Sequence, residues 1–358
     1  MAKPFNGRLL TLARQMRRMS QTELVNLLGG TVSQGTLSKV EHGRIQPGEE
    51  LVELLAGALK VRSSFFYDSG FIRDPVVSYH RKRSKLGVRH LDSVHAQAEV
   101  IRLNLRKCLE ALDLEARLPL PAIDPDEFGR DPDEIARAVR QRWGVPRGPI
   151  DDVTKLAEDA GIIVITLDFG SELIDGFCQY AADGVPPLVF LNAAQPKDRL
   201  RFSLAHEVGH LVMHHTPHPQ QEVEANRFAS EFLMPSREIK PDFDGHSLTR
   251  FMDLKVYWGV SMQALMYKAW QTGKLTDRMY KYYVIEMSKR GFRKREPVDV
   301  PHLKETPSTL KQIIRAHIED LDYSIDDLGE MFGLLDDDVT GIYPVPAARP
   351  KLRLVRNA

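Results

Sequence analysis

Residues 204–213 read LAHEVGHLVM and place two histidines, His206 and His210, four positions apart in an otherwise apolar run. An α-helix turns once every ~3.6 residues, so side chains four apart lie on the same face. This spacing lets both imidazoles reach one metal ion, and the neighbouring Glu207 can take a proton from a water molecule there. The stretch therefore predicts a buried helix that supplies part of a metal site.

A second predicted helix, from Glu222 to Met234, offers a third ligand. Glu222 and Asn226 are four apart and share a face, so Glu222 can complete the site while Asn226 hydrogen-bonds a ligand. Three protein ligands leave a fourth position for water, as in catalytic zinc sites. Glu224 is a rival ligand: it lies about 200° around the helix from Glu222, so one of the two must face away. Two histidines and a glutamate suit Zn²⁺, with Mn²⁺ as the alternative.

Five further side chains are candidates for a place at or near the predicted metal site. His214, His215 and His218 follow the predicted metal helix, and we expect them to form a solvated rim. Tyr180, on a predicted strand, and His246 are candidates for stabilising an oxyanion that forms at the site.

The first sixty residues predict four short helices. Ser20 is an expected N-cap, and Glu23, three residues later, completes a capping box. Ser33 begins the third helix and Gly43 ends it. Two short helices joined by a tight turn within a helical bundle are typical of a helix-turn-helix. Residues 1–44 carry seven Lys and Arg side chains against two acidic ones, which favours DNA as a partner.

This N-terminal segment resembles the XRE/Cro-type repressor family. The matching residues are 20–24, SQTEL, and 32–43, VSQGTLSKVEHG. In that family the third helix enters the major groove, and Gly35 here leaves one usual base-reading position without a side chain. The resemblance implies base contacts by Gln34, Thr36 and Lys39 and phosphate contacts by Ser33 and Arg44.

From about residue 150 the pattern becomes mixed α and β, with predicted strands at 162–167, 176–181 and 188–192 before the metal helix. Residues 206–211 and 222–229 resemble the motifs of the ImmA/IrrE metallopeptidase family, over roughly residues 150–290. Proteins of this family cut, or are proposed to cut, bacterial and phage repressors, and many are fused to an XRE-type helix-turn-helix. The resemblance implies that His206, His210 and Glu222 bind the metal and that Glu207 is the general base.

The composition fits an intracellular protein with real hydrophobic cores. Of the 358 residues, 42% are hydrophobic, and no apolar run is long enough to span a membrane. Cys108 and Cys178 are too few for a disulfide framework, which fits a reducing cytosol, and no signal peptide is recognisable. We therefore expect a cytoplasmic protein without a membrane partner. A basic run at residues 81–85 is expected to be solvated.

The predicted fold class is α+β and mostly helical. It comprises an all-α helix-turn-helix bundle, a zincin-like α/β metallopeptidase domain and a C-terminal helical region. Aspartates at positions 336–338 argue against DNA contact by that last region. The predicted domains are 1–69 (helix-turn-helix), 70–149 (helical linker), 150–296 (metallopeptidase), 297–346 (C-terminal helices) and 347–358 (disordered tail).

Together these features predict a DNA-binding transcriptional regulator with a zinc-dependent endopeptidase domain that cleaves a repressor-type protein. The expected partners are double-stranded operator DNA and a repressor or toxin protein. A homodimer is expected because helix-turn-helix proteins usually read two half-sites. The alternative is a non-catalytic regulator or antitoxin whose metallopeptidase-like domain senses a partner or ligand.

Overall fold

The computed structural model describes residues 4–70, 72, 87–216, 218–300 and 303–346. The basic run at 81–85 and the predicted tail at 347–358 lie outside these residues. The chain divides into two compact units, one formed by residues 1–72, 95–112 and 309–358 and the other by 73–94 and 113–308. Within the described ranges the fold is mainly helical with one small sheet, so the predicted α+β class is confirmed.

The described elements are as follows in chain order. The helices are α1 (Gly7–Met16), α2 (Gln21–Leu27), α3 (Gln34–Glu41), α4 (Glu49–Leu59), α5 (Val88–Leu109), α6 (Pro132–Arg142), α7 (Val153–Asp159), α8 (Lys197–Met213), α9 (Gln221–Leu233), α10 (Ser236–Ile239), α11 (Leu248–Trp258), α12 (Met262–Gln271), α13 (Asp277–Lys289), α14 (Thr309–Glu319), α15 (Ile325–Phe332) and α16 (Asp336–Ile342). The strands are β1 (Ile163–Leu167), β2 (Gly176–Gln179) and β3 (Leu188–Asn192). No helix among the described residues combines the length and apolar character needed to cross a membrane.

The helix-turn-helix forms as its caps predict. The Ser20 hydroxyl accepts a hydrogen bond from the Glu23 amide at 3.1 Å, and the Glu23 carboxylate accepts one from the Ser20 amide at 2.6 Å. The Ser33 hydroxyl caps α3 by accepting from the Thr36 amide at 3.1 Å. Gly43, just after α3, has a φ of +67°, a conformation that favours glycine and ends the helix. Local sequence therefore fixes both helices of the motif.

The C-terminal helices belong to the same compact unit as the helix-turn-helix. This grouping corrects the predicted linear division, in which 297–346 was a separate subdomain and 70–149 a linker. The cause is long-range pairing: the Arg62 guanidinium lies 2.6 Å from an Asp326 carboxylate oxygen and 3.1 Å from one of Asp336, and it also pairs with Glu330. The Arg62 amide donates to the carbonyl of Gly333 at 3.0 Å.

The second unit is built around a three-stranded sheet with the order β1–β3–β2. β1 and β3 run parallel, whereas β2 runs antiparallel to β3. α8 packs against β2, β3 and α9. The resulting core joins apolar residues of the sheet to those of both helices, among them Val164, Val189, Leu204, Val208 and Phe228. Sheet and core together hold α8 in place, so the histidines that it carries have a rigid support.

Candidate metal centre and nucleic-acid interface

The approach of α9 to α8 depends on a glycine inside the histidine motif. A Cβ atom added to Gly209 would lie 2.9 Å from the ring of Phe228 and 3.3 Å from its Cβ. These distances are too short for a methyl group, because Phe228 is fully buried and its Cβ cannot swing aside. Gly209 therefore permits the close packing of α8 on α9 that brings the acidic start of α9 to the histidines.

Three side chains converge where the two helices meet. The Nε2 atoms of His206 and His210 are 3.0 Å apart. The Glu222 carboxylate places one oxygen 3.4 Å from Nε2 of His210 and the other 3.6 Å from Nε2 of His206. Ligands held about 2.0–2.1 Å from a zinc ion in a tetrahedron lie roughly 3.3 Å from one another. The spacing of the three donor atoms therefore fits a zinc ion.

The electrostatics of these groups also suit a bound cation. Burial alone would raise the pKa of Glu222, but hydrogen bonds from His206 and His210 outweigh it and hold this pKa well below its usual range. Burial likewise opposes a charge on His206, yet Glu222 and the Glu207 carboxylate raise the pKa of that imidazole. The pocket thus stabilises positive charge beside two carboxylates, as a divalent cation requires.

Glu207 follows His206 on α8 and is 7% exposed. Its carboxylate lies within hydrogen-bonding reach of the Cys178 thiol on β2; burial and this carboxylate both raise the pKa of the thiol well above its usual value. Tyr180, which was expected near the oxyanion, instead donates its hydroxyl to the carbonyl of His214 at 2.5 Å and contacts that of His210 at 3.1 Å. Tyr180 therefore secures the end of α8.

Asn226 is placed beside the cluster, one helical turn after Glu222. Its amide donates to the backbone carbonyl of Glu222 at 2.7 Å, and its side chain also lies within hydrogen-bonding reach of His206. The structure thus brings Asn226 to a candidate ligand, as the helical spacing predicts.

The expectation of a solvated histidine rim is wrong for His214. This residue is 5% exposed; its Nδ1 lies 2.9 Å from Nδ1 of His210, and its Nε2 lies 3.0 Å from a carboxylate oxygen of Glu224. Burial and the neighbouring His210 lower the pKa of His214 to about 4. The rival ligand Glu224 points to His214, and the three-residue group that could hold a metal in the described chain leaves Glu224 out. The repeat at 206, 210 and 214, four residues apart, was the signal that sequence reasoning passed over.

The other two histidines proposed near the site play smaller parts. His215 is exposed, with its ring 5.6 Å from that of Tyr180. The Nδ1 of His218 lies 3.9 Å from Glu224. His246 is paired with the hydroxyl of Tyr283 at 3.0 Å and lies outside the candidate metal group.

The candidate DNA-reading residues lie on and beside α3. Ser33, Gln34, Lys39 and Arg44 are exposed, and Thr36 is half-buried. This surface is open to solvent along the start of the helix, as base and phosphate contacts require.

Neighbouring residues fix the position of α3. The Gln34 amide donates to the side-chain carbonyl of Gln21 at 2.8 Å, and Gln21 in turn donates to Glu41 at 2.7 Å. Sequence reasoning did not single out Gln21. Arg17 is not a free cation, because it donates to the carbonyl of Leu59 at 2.8 Å and pairs with Asp338.

Comparison with known families identifies both regions. Residues 10–66 match a family model described as helix-turn-helix, and residues 157–269 match the peptidase M78 model, described as the IrrE N-terminal-like domain. Searches of curated proteins and of solved structures found no match. The two resemblances are thus confirmed: the chain joins an XRE-type helix-turn-helix DNA-binding domain to an IrrE-like peptidase domain.

Proposed function

We propose that this protein is a DNA-binding regulator whose IrrE-like domain is a zinc-dependent endopeptidase that cleaves a repressor-type protein. The observation that carries the proposal is the convergence of His206 and His210 of α8 with Glu222 of α9, while Glu207 follows His206 on α8. A helix used only for packing has no physical reason to bury two imidazoles and a carboxylate at one point, because buried polar groups cost free energy unless they are paired.

His206, His210 and Glu222 are the residues that would hold the zinc ion. When bound, zinc supplies Lewis-acid chemistry: it makes water acidic enough to lose a proton near neutral pH and polarises a carbonyl group. Glu207 takes the proton from the attacking water and then delivers it to the leaving amine. Asn226 donates to the backbone of Glu222 and so helps to preserve the orientation of this proposed ligand.

The sheet offers a place for an extended substrate. β2 is the last strand in the sheet order, and within the described residues no further strand pairs with its other edge. An extended peptide can add to such an edge through backbone hydrogen bonds. Because α8 packs against β2, and Cys178 of β2 lies beside Glu207, we place the substrate peptide along this strand.

The DNA-binding domain would bring this activity to an operator or to a repressor bound there. Gln34 and Lys39 have the chemistry to read adenine and guanine in the major groove, and Thr36 lies beside them. Ser33 and Arg44 would contact phosphates. Two copies of the chain would read two half-sites, so we propose a homodimer on operator DNA.

The test is to incubate purified protein with repressors encoded near its gene and to compare it with Glu207→Gln. We expect zinc-dependent cleavage that falls about 10²–10⁴-fold in the variant, because the substitution removes the base and leaves the ligands in place. Zinc content and DNA binding should be unchanged, and Glu172→Gln, at an exposed carboxylate, is the matched control. If Glu207→Gln keeps its full biological activity, the domain is a non-catalytic sensor, as in a regulator or antitoxin.

A further inference from the structure

We infer that His214 and Glu224 form a hydrogen-bonded chain behind His210 that fixes the orientation and tautomer of this ligand and thereby sets the affinity for zinc. Neither residue belongs to the group of candidate ligands. The inference rests on the proposed zinc centre and extends it to two positioning residues.

The contacts define a single direction of donation. His210 presents Nε2 to Glu222 and His206, so this nitrogen must be free of a proton to bind a metal. Its Nδ1 then carries the hydrogen and donates to Nδ1 of His214, 2.9 Å away. The remaining nitrogen of His214, Nε2, donates to the Glu224 carboxylate at 3.0 Å. Each imidazole thus uses one nitrogen as a donor and the other as an acceptor or ligand.

Burial makes this chain specific. His214 and Glu224 are 5% and 6% exposed, so water has little access to replace either partner. The hydroxyl of Tyr180 binds the carbonyl of His214 and fixes the backbone at the end of α8. Arg130 approaches the outer oxygen of Glu224 at 3.5 Å, which partly balances the buried charge of that carboxylate.

The arrangement also explains why α9 begins with two glutamates two positions apart. Glu222 faces Nε2 of His210, and Glu224 reaches Nδ1 of the same imidazole through His214. α9 therefore reaches both nitrogens of one proposed ligand, one directly and the other through His214. A carboxylate that accepts from a ligating histidine, directly or through a relay, makes the imidazole a better donor to the metal.

The experiment measures the zinc dissociation constant of the full-length protein by competition with a chromophoric chelator. We expect His214→Leu and Glu224→Gln each to weaken zinc binding about 10–100-fold, the range typical of such outer partners. Because Glu224 acts through His214, adding Glu224→Gln to His214→Leu should cause no further loss. His215→Gln, at the exposed neighbour, is the matched control and should bind zinc like the wild type.

Two further outcomes separate this inference from the proposed function. If His214→Leu and Glu224→Gln bind zinc within about twofold of wild type while Glu222→Gln loses zinc binding, the contacts of His214 and Glu224 serve only packing. The inference then fails. If Glu222→Gln also keeps wild-type affinity, the zinc centre itself fails, and the proposed peptidase with it. Should His214→Leu not fold, Glu224→Gln alone decides, because it retains the shape of the side chain. A further loss in the double variant would mean that Glu224 acts on the metal directly through its charge, which contradicts the relay.

Discussion

The candidate metal centre and the surface of α3 place their proposed functional side chains in opposite environments. His206, His210 and Glu222 lie within 4.8 Å of one another between packed helices, whereas Gln34 and Lys39 are exposed on α3. In the first region each side chain is held by its neighbours before any ligand arrives. In the second, the proposed base-reading side chains lie at the solvent-exposed surface of the helix, and Gln34 is held there by a hydrogen bond to Gln21. We therefore expect that a single substitution at the candidate metal centre removes most of the zinc binding. On α3 several residues share the proposed DNA binding, so each substitution should cause a partial loss.

The largest effect is expected for a ligand itself. His210→Ala removes one of three donors, so we expect zinc affinity to fall by more than the roughly 10–100-fold that loss of an outer partner causes. DNA binding should be unchanged because α3 lies in the other compact unit. The measurements are zinc titration and a gel-shift assay on the same preparation. If His210→Ala lost DNA binding as well as zinc binding, the two regions would not act as separate sites. That result would contradict the comparison.

A smaller effect is expected when Gly209, the glycine that lets α9 approach α8, is substituted. Gly209→Ala places a methyl group against Phe228, and relief of this overlap should cost about 1–3 kcal/mol of unfolding free energy. Zinc affinity should fall as well, because α9 carries Glu222. Urea unfolding with and without zinc measures both effects.

Gly57→Ala is the matched control for this substitution. Gly57 is exposed inside α4, and an added Cβ would meet nothing within 4 Å. Alanine there should stabilise the protein by roughly 0.5–1 kcal/mol. If Gly209→Ala and Gly57→Ala changed the unfolding free energy by the same amount and in the same direction, Gly209 would not be needed for the close packing of α8 on α9.

Effects on DNA binding alone are expected for substitutions on α3. Lys39→Ala should weaken binding to the preferred operator by about 1–3 kcal/mol and relax sequence preference at one base pair, without changing zinc affinity. Binding to randomised operator libraries measures both quantities. Glu53→Ala, at an exposed side chain of α4, is the control and should leave sequence preference unaltered. An unchanged operator preference in Lys39→Ala would remove this residue from the reading face.

The parts of the structure that the sequence predicts are those set by local pattern. The four-residue spacing of His206 and His210 places both on one helical face, and Ser20 and Ser33 cap their helices through contacts within three residues. The three strands are predicted to within two residues at either end because short, mainly apolar runs are bounded by turn residues.

The parts that the sequence does not predict depend on tertiary packing. The pairing of His214 with Glu224 requires the placement of α9 against α8, which periodicity does not specify. The association of the C-terminal helices with the helix-turn-helix unit rests on ion pairs such as Arg62 with Asp326, 264 positions apart. No local pattern encodes such partners. The acidic residues at 336 and 338, which in the sequence argue only against DNA contact, both pair with arginines of their own chain.

The central claim is that two imidazoles and one carboxylate hold the metal, and X-ray absorption at the zinc edge of the zinc-loaded protein tests it most directly. The account predicts a first shell of nitrogen and oxygen at about 2.0–2.1 Å, fitted by two imidazoles and no sulfur. A sulfur scatterer at about 2.3 Å would mean that Cys178 is a ligand. Three imidazoles would mean that His214 binds zinc instead of supporting His210. Either result would contradict the account.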